Sequence, residues 1–208
     1  MEMKLNLRTA VPLLLLAVLA LVPLYATFAQ QPFYLTLFGR IVVFAIAAVS
    51  LDLILGYGGM VSFGHALYLG LGAYVVGILS YHGIDNGFLH LGATLLLCAV
   101  VGAVTGLLSL RTTGIAFIMI TLAFAQMFYF IAYSLPGLTG GDNGLLDIPR
   151  PSLAVAGHTL WPLASPWQYY GFVAALFLVA FWLLRRVCDS VFGRTLLAVR
   201  DNEERAAA

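Results

Sequence analysis

Residues Leu51-Asp-Leu-Ile-Leu-Gly-Tyr-Gly-Gly-Met-Val-Ser-Phe-Gly-His-Ala66 hold four glycines and two ionisable side chains, Asp52 and His65, inside sequence otherwise apolar enough to lie in a bilayer. Glycine at that density breaks a helix or lets another helix approach closely, while Asp and His are costly in hydrocarbon. A mere anchor would not carry such a segment. Gly56, Gly58 and Gly59, with Ser62 and Gly64, are read first as a tight turn between two helices at the cytoplasmic face. The alternative is an unwound piece whose free backbone groups line a cavity, as broken helices do in transport proteins.

The sequence on either side sets the class. Of 208 residues, 62% are hydrophobic and 9% charged, against roughly 25% charged in soluble domains. The uncharged stretches 9–39, 53–84, 86–110, 112–141 and 151–184 each exceed the ~20 residues a spanning helix needs. Ten-residue strands of alternating polarity are absent, so the expectation is an all-α integral membrane protein and not a barrel. It is a polytopic transmembrane helical bundle of about six spans, near 10–29, 36–56, 62–82, 88–110, 114–134 and 167–187. Thr27-Phe-Ala29 resembles a signal cleavage site, but the apolar run Val11–Ala29 is long and further spans follow at once. An uncleaved first span is therefore expected. Cys98 and Cys188 fall at different depths, which predicts two free thiols. Lipid is the expected surrounding; with a net charge of +1 and no basic patch, nucleic acid is excluded as a partner.

Charge sets orientation. With the N-terminus in the cytoplasm, Lys4, Arg8, Arg111, Arg185, Arg186, Arg194, Arg200 and Arg205 fall inside, and only Arg40 and Arg150 outside. That is the bias of cytoplasmic loops, and it predicts a multi-pass membrane protein with its N-terminus in the cytoplasm. Arg111-Thr-Thr113 is a short turn, so the spans on either side form a helical hairpin. The connection 135–166 is external and holds five of the eight prolines. Trp161 and Trp167 are expected at the outer interface. Residues 188–208 form a cytoplasmic region that breaks off in a charged, helix-favouring stretch, which suggests a chain incomplete at its C-terminus.

Several constellations could carry function. Ser62, Ala66, Gly70, Ala73, Gly77 and Ser80 recur every three or four residues, a stripe of small side chains that reads as helix packing, as does Gly102-xxx-Gly106. Asp52 follows Ala45 and Ala48 at helical spacing; it is either a gate or path residue or a charge near the interface. His65 reads as a packing histidine or a pore-lining donor. Gln126, on one face with Tyr129 and Tyr133, must bond to another helix or to the solute path. Gly193 begins a short amphipathic element with Leu196, Leu197 and Val199 beside Arg194, Arg200, Glu203 and Glu204, suited to docking on a soluble partner or lying on headgroups.

Four segments in order resemble the permease subunits of bacterial ABC importers for branched-chain amino acids, specifically the M-type permease of the Liv system. They are Leu51–Tyr74, Arg111–Gln126, Leu138-Thr-Gly-Gly-Asp-Asn-Gly-Leu145 and Phe192-Gly-Arg-Thr-Leu-Leu-Ala-Val-Arg-Asp-Asn-Glu203. The resemblance implies that residues 1–208 are the permease transmembrane domain, incomplete at the C-terminus, and that Gly193, Arg194, Ala198, Arg200 and Glu203 belong to the element coupled to an ATPase. It implies four kinds of company: a second, H-type permease, two ATP-binding subunits, a periplasmic substrate-binding protein and the lipid around them. It further implies import of leucine, isoleucine or valine across the bacterial inner membrane by alternating access. On residue type and placement, Asp52, Gly56, Gly58, Gly59, Ser62, His65 and Gln126 are the candidates for the path or gate. No Walker A motif is present, so the chain reads as a non-enzyme that binds no cofactor while its partners use ATP.

Urea or short amides would also suit a path with few charges. An ion-coupled carrier centred on Asp52 is the alternative from another class; it would need neither ATP nor soluble subunits. An intramembrane enzyme pairing Asp52 with His65 is disfavoured: His82 and His90 lack metal spacing, no nucleophile elbow exists, and Asp142-Asn-Gly144 has too few carboxylates for calcium.

Overall fold

Long apolar stretches become helices because lipid offers the backbone no hydrogen-bond partners. The computed structural model describes residues 19, 21–26, 31–146, 148, 153–155, 158–161 and 165–202. Residues 21–26 are helical. Helix α1 runs Pro32–Asp52 and continues as a π-helical turn, Leu53–Tyr57. After a non-helical stretch come α2 (His65–Tyr81), α3 (Gly87–Ser109) and α4 (Ile115–Ser134). A single helical turn α5 (Pro136–Thr139) and a 3₁₀ turn at Gly141–Asn143 follow. A short antiparallel hairpin, β1 (Leu153–Val155) with β2 (His158–Trp161), pairs Leu153 with Trp161 and Val155 with His158. Helices α6 (Pro166–Asp189) and α7 (Val191–Asp201) complete the described chain.

Local chemistry sets the boundaries. Pro32, Pro136 and Pro166 open their helices, where the missing N–H is no loss. The Asn86 side chain caps α3 by accepting from Phe88 N (3.0 Å). Between α3 and α4, Thr112 donates to Ser109 O through both its N–H (3.0 Å) and its hydroxyl (2.7 Å), closing the expected tight hairpin.

Four stretches, Phe33–Tyr57, Gly87–Ser109, Ile115–Ser134 and Pro166–Asp189, are long and apolar enough to cross a membrane. The chain is thus a multi-pass, mostly helical membrane protein. One of the six expected spans differs, and another is described only in part. Most of the span at 10–29 lies outside the described residues. The span expected at 62–82 begins only at His65 and has 17 residues, because the glycine-rich run takes its first turn out of helix. The hairpin β1–β2 in the 135–166 connection qualifies the all-α expectation. Both cysteines are free, as expected.

Packing falls into two groups. Leu35 and Val42 of α1 meet Tyr170 and Val173 of α6 in a buried cluster with Val22 and Ala26. The Tyr170 hydroxyl donates to Leu19 O at 2.7 Å. Across from them, α2 lies on α3: Gly72 comes close to Thr94, and Tyr68 reaches over Gly102 toward Thr105. Within each spanning stretch only 6–11% of the most apolar window is buried inside the chain, so those faces are covered by lipid or by further helices.

Leu35 is 2% exposed and Phe44 63%. Leu35→Ala should destabilise the detergent-solubilised protein by about 2 kcal/mol, the low end for such truncations because lipid-like surroundings remove part of the transfer term. Phe44→Ala should leave the thermal midpoint nearly unchanged. Differential scanning fluorimetry of both variants checks this.

Candidate functional site

The glycine-rich run forms a compact break between α1 and α2. The π turn leaves Gly58 N bonded to Leu53 O and Met60 N to Ile54 O, both at 3.2 Å. Gly59 takes φ +66°, a left-handed conformation that disfavours side chains. Further on, Phe63 N donates to the Thr121 hydroxyl of α4 (3.3 Å), and a Cβ at Gly64 would lie 2.9 Å from Thr121 O. The break is therefore both a turn and an unwound piece: it reverses the chain and rests its backbone on α4.

Its other support comes from the far end of the chain. The Arg200 guanidinium donates to Gly56 O at 2.5 Å and is held by Asp201 Oδ1 at 3.0 Å. The Arg200 stem lies where a Gly59 Cβ would sit, its Cγ 2.5 Å from that point. A positive charge thus meets a carbonyl at the end of the interrupted helix, where the backbone dipole favours it.

His65 opens α2 and is placed by Ser50 of α1. The Ser50 hydroxyl donates to Ala47 O (2.8 Å), so at its contact with His65 Nε2 (2.7 Å) it accepts. That assigns the proton to Nε2 and leaves Nδ1 a buried acceptor without a partner. By the same logic the Thr105 hydroxyl donates to Val101 O (2.8 Å) and accepts from Tyr68 OH (3.1 Å). Ser62, His65, Thr105, Ser109 and Thr121 border one cavity of ≈ 190 Å³ between the break, α2, α3 and α4.

Comparison with known proteins follows that geometry. Residues 33–208 match the family model for the branched-chain amino acid transport system / permease component. The chain belongs to this permease family. It is similar to the high-affinity branched-chain amino acid transport system permease protein LivM of Escherichia coli (strain K12), 25% identical over 179 residues. The LivM protein of Salmonella typhimurium (strain LT2) is 25% identical over the same length. Each match covers 77% of this chain and 42% of the relative, so the chain spans about two fifths of the curated relatives' length. No solved structure matches.

The permease brings together some of the expected residues and separates others. Gly56, Gly58, Gly59, Ser62 and His65 share one region. Asp52 lies beside Gly56, where an added Cβ would stand 3.0 Å from its Oδ1, but it borders a cleft of ≈ 250 Å³ between α1 and α6, with Arg185 and Asp189, and not the cavity around His65. Gln126 is exposed on α4, borders none of the described cavities and makes no hydrogen bond among the described residues. In the small-residue stripe, Gly77 and Ser80 are buried, with Gly77 under Leu145 and Ile148. Ala66 and Ala73 are exposed, and a Cβ at Gly70 would meet nothing within 4 Å, so among the described residues no helix packs on this half of the stripe. Gly102 packs against Tyr68, whereas Gly106 borders the cavity and touches nothing.

On α7, Gly193 is buried against the last turn of α6 and its N–H is capped by Ser190. Leu196 and Leu197 are half-buried, while Arg194 and Ala198 are exposed. Arg200 turns inward, onto the chain's own break. Glu203 lies outside the described residues. The residues that periodicity misses are Ser50, Tyr68, Thr105, Ser109 and Thr121. An isolated Ser or Thr in an apolar helix bonds to its own preceding turn, so its presence alone announces nothing; Thr105 and Ser109, four apart, were the available signal.

Gly59→Ala adds a methyl group at a positive φ and at the position of the Arg200 stem, which should destabilise by more than about 1 kcal/mol and release α7. Limited trypsin digestion should then cut faster at Arg194 and Arg200 than in the unaltered protein, with Gly92→Ala as the neutral comparison.

Proposed function

We propose that this chain is a membrane-spanning permease subunit of an ATP-driven importer that moves branched-chain amino acids into the cytoplasm. The observation that carries the reading is the Arg200–Gly56 contact. It ties an exposed amphipathic helix to the break bordering a cavity within the bundle, so force applied to α7 reaches that cavity directly. Family membership and the names of the relatives support the solute class. The protein sits in the bacterial inner membrane with its N-terminus in the cytoplasm, as the distribution of Lys and Arg favours.

In this reading Arg194 and Ala198 face an ATP-binding subunit, Gly193 sets the angle of α7, and Glu203 extends the coupling element. Residues 188–208 are cytoplasmic and 135–166 external. Two ATP-binding subunits, an H-type permease and a periplasmic substrate-binding protein complete the assembly. ATP is used by the partners, and this subunit binds no cofactor. Ser62 and His65 border the path, whereas Asp52, paired in space with α6, serves as a charge near the interface.

Proteoliposomes holding the complete assembly should take up radiolabelled leucine only with ATP and binding protein present. Uptake driven by a sodium or proton gradient without ATP, or uptake of urea in preference to leucine, would overturn the proposal. Arg200→Ala should lower leucine uptake about tenfold, equivalent to the loss of one charge-assisted hydrogen bond, while ATP hydrolysis continues. Arg200→Lys should recover part of it.

A further inference from the structure

Two cavities lie end to end along the seam between α2 and α4. One, of ≈ 450 Å³, is bordered by Ala66, Gly70, Tyr74, Tyr129, Tyr133 and Asp142. The other is the cavity of ≈ 190 Å³ around His65, Thr105 and Ser109. Leu67 borders both. On the facing helix Phe124 borders the smaller cavity and the next residue, Ala125, the larger.

We propose that this seam is the solute's passage through the subunit, with Leu67 and Phe124 as the septum between an outer and an inner chamber. The proposal rests on the transport reading above and goes beyond it by placing the route. Three observations carry it. The first is the uncovered half of the small-residue stripe. Residues of that kind ordinarily let helices touch, yet Gly70 faces open space on the larger chamber.

The second is Ser109. It is 3% exposed, its hydroxyl has no partner among the described residues, and it borders the smaller chamber. A buried polar group without a partner is unfavourable unless water or a solute meets it. The third is chemistry. The inner chamber offers hydroxyls and an imidazole but no carboxylate, ammonium or guanidinium, and the outer one carries a single carboxylate, Asp142, beside Asn143 and the stacked rings of Tyr129 and Tyr133. A carboxylate among apolar and hydroxyl groups suits the ammonium of a zwitterion with an apolar side chain. Only the larger chamber reaches the roughly 300–1,000 Å³ usual for small-molecule sites. Both chambers are open along one side, which the second permease of the proposed assembly would wall.

The test is thiol labelling of the full-length protein, assembled with its partners in membrane vesicles, with Cys98 and Cys188 replaced by alanine. Gly70→Cys should react with a charged, membrane-impermeant methanethiosulfonate about tenfold faster than Gly92→Cys, because reaction needs a hydrated thiolate. Gly92 also has open space about it but borders neither chamber. Ser109→Cys should react only with reagent on the Arg200 side, and adding Leu67→Ala should open it to reagent on the Asp142 side. Phe124→Ala serves if Leu67→Ala fails to reach normal membrane abundance. Equal rates at positions 70 and 92 would overturn the passage, and a position 109 still closed after the septum is cut would overturn the septum. Labelling as expected in vesicles that import no branched-chain amino acid would leave the passage standing and remove the solute class.

Discussion

An interrupted helix inside an apolar bundle has to find partners for the backbone groups it frees, and the lipid supplies none. In this permease the interruption is Leu53–Gly64, and its partners come from three places. The π turn satisfies Gly58 N and Met60 N from within. Thr121 of α4 takes Phe63 N, and Arg200 of α7 takes Gly56 O. Two of the three are distant in sequence, so the break cannot keep its shape without α4 and α7. The fold around it is organised by that dependence: α7 is turned back at Ser190 so that Arg200 arrives beneath the break, and α4 starts at Gly114 so that Thr121 stands one or two turns in.

The same dependence explains the small residues better than packing alone. Close approach is used at Gly64, Gly72 and Gly77, where α4, α3 and the Leu145 segment come in. It is not used at Gly70 or Gly106, where nothing approaches. Small residues therefore do two different things: Gly64, Gly72 and Gly77 admit neighbours, while Gly70 and Gly106 leave room. A stripe read only by its spacing assigns both halves to packing, because periodicity describes which residues share a face and not what stands opposite.

What was legible followed from local rules. The existence and type of the helices came from uncharged length, and the α3–α4 hairpin from a three-residue turn. The break was legible as a cluster of glycines. Illegible parts were those set by long-range geometry. Nothing near Arg200 marks it as a partner of a carbonyl 144 residues away. Asp52 shares a helical face with Ala45 and Ala48, yet that face turns to α6 and not toward His65. Gln126 and Tyr129 are three apart, close enough to be grouped on sequence; Tyr129 borders the outer chamber and Gln126 does not. The β1–β2 hairpin sits in a proline-rich connection where strand pairing has only a weak local signal.

A break held by side chains also differs mechanically from a continuous helix. A helix resists bending because every residue is tied to the next turn, whereas among the described residues Gly59 to Gly64 is held by Met60 N on Ile54 O at 3.2 Å, by Phe63 N on Thr121 and Gly64 N on the Ser62 hydroxyl, both at 3.3 Å, and by Leu67 N on Gly64 O at 3.1 Å. These long, neutral bonds are weak beside the charge-assisted bond from Arg200. In the proposed coupling, a displacement of α7 would act first on Gly56 and then on the segment that follows. Met60, Ser62 and Gly64 of that segment are themselves walls of the inner chamber. The softest stretch of backbone in the region is thus placed between the lever and the space whose volume the lever would have to change.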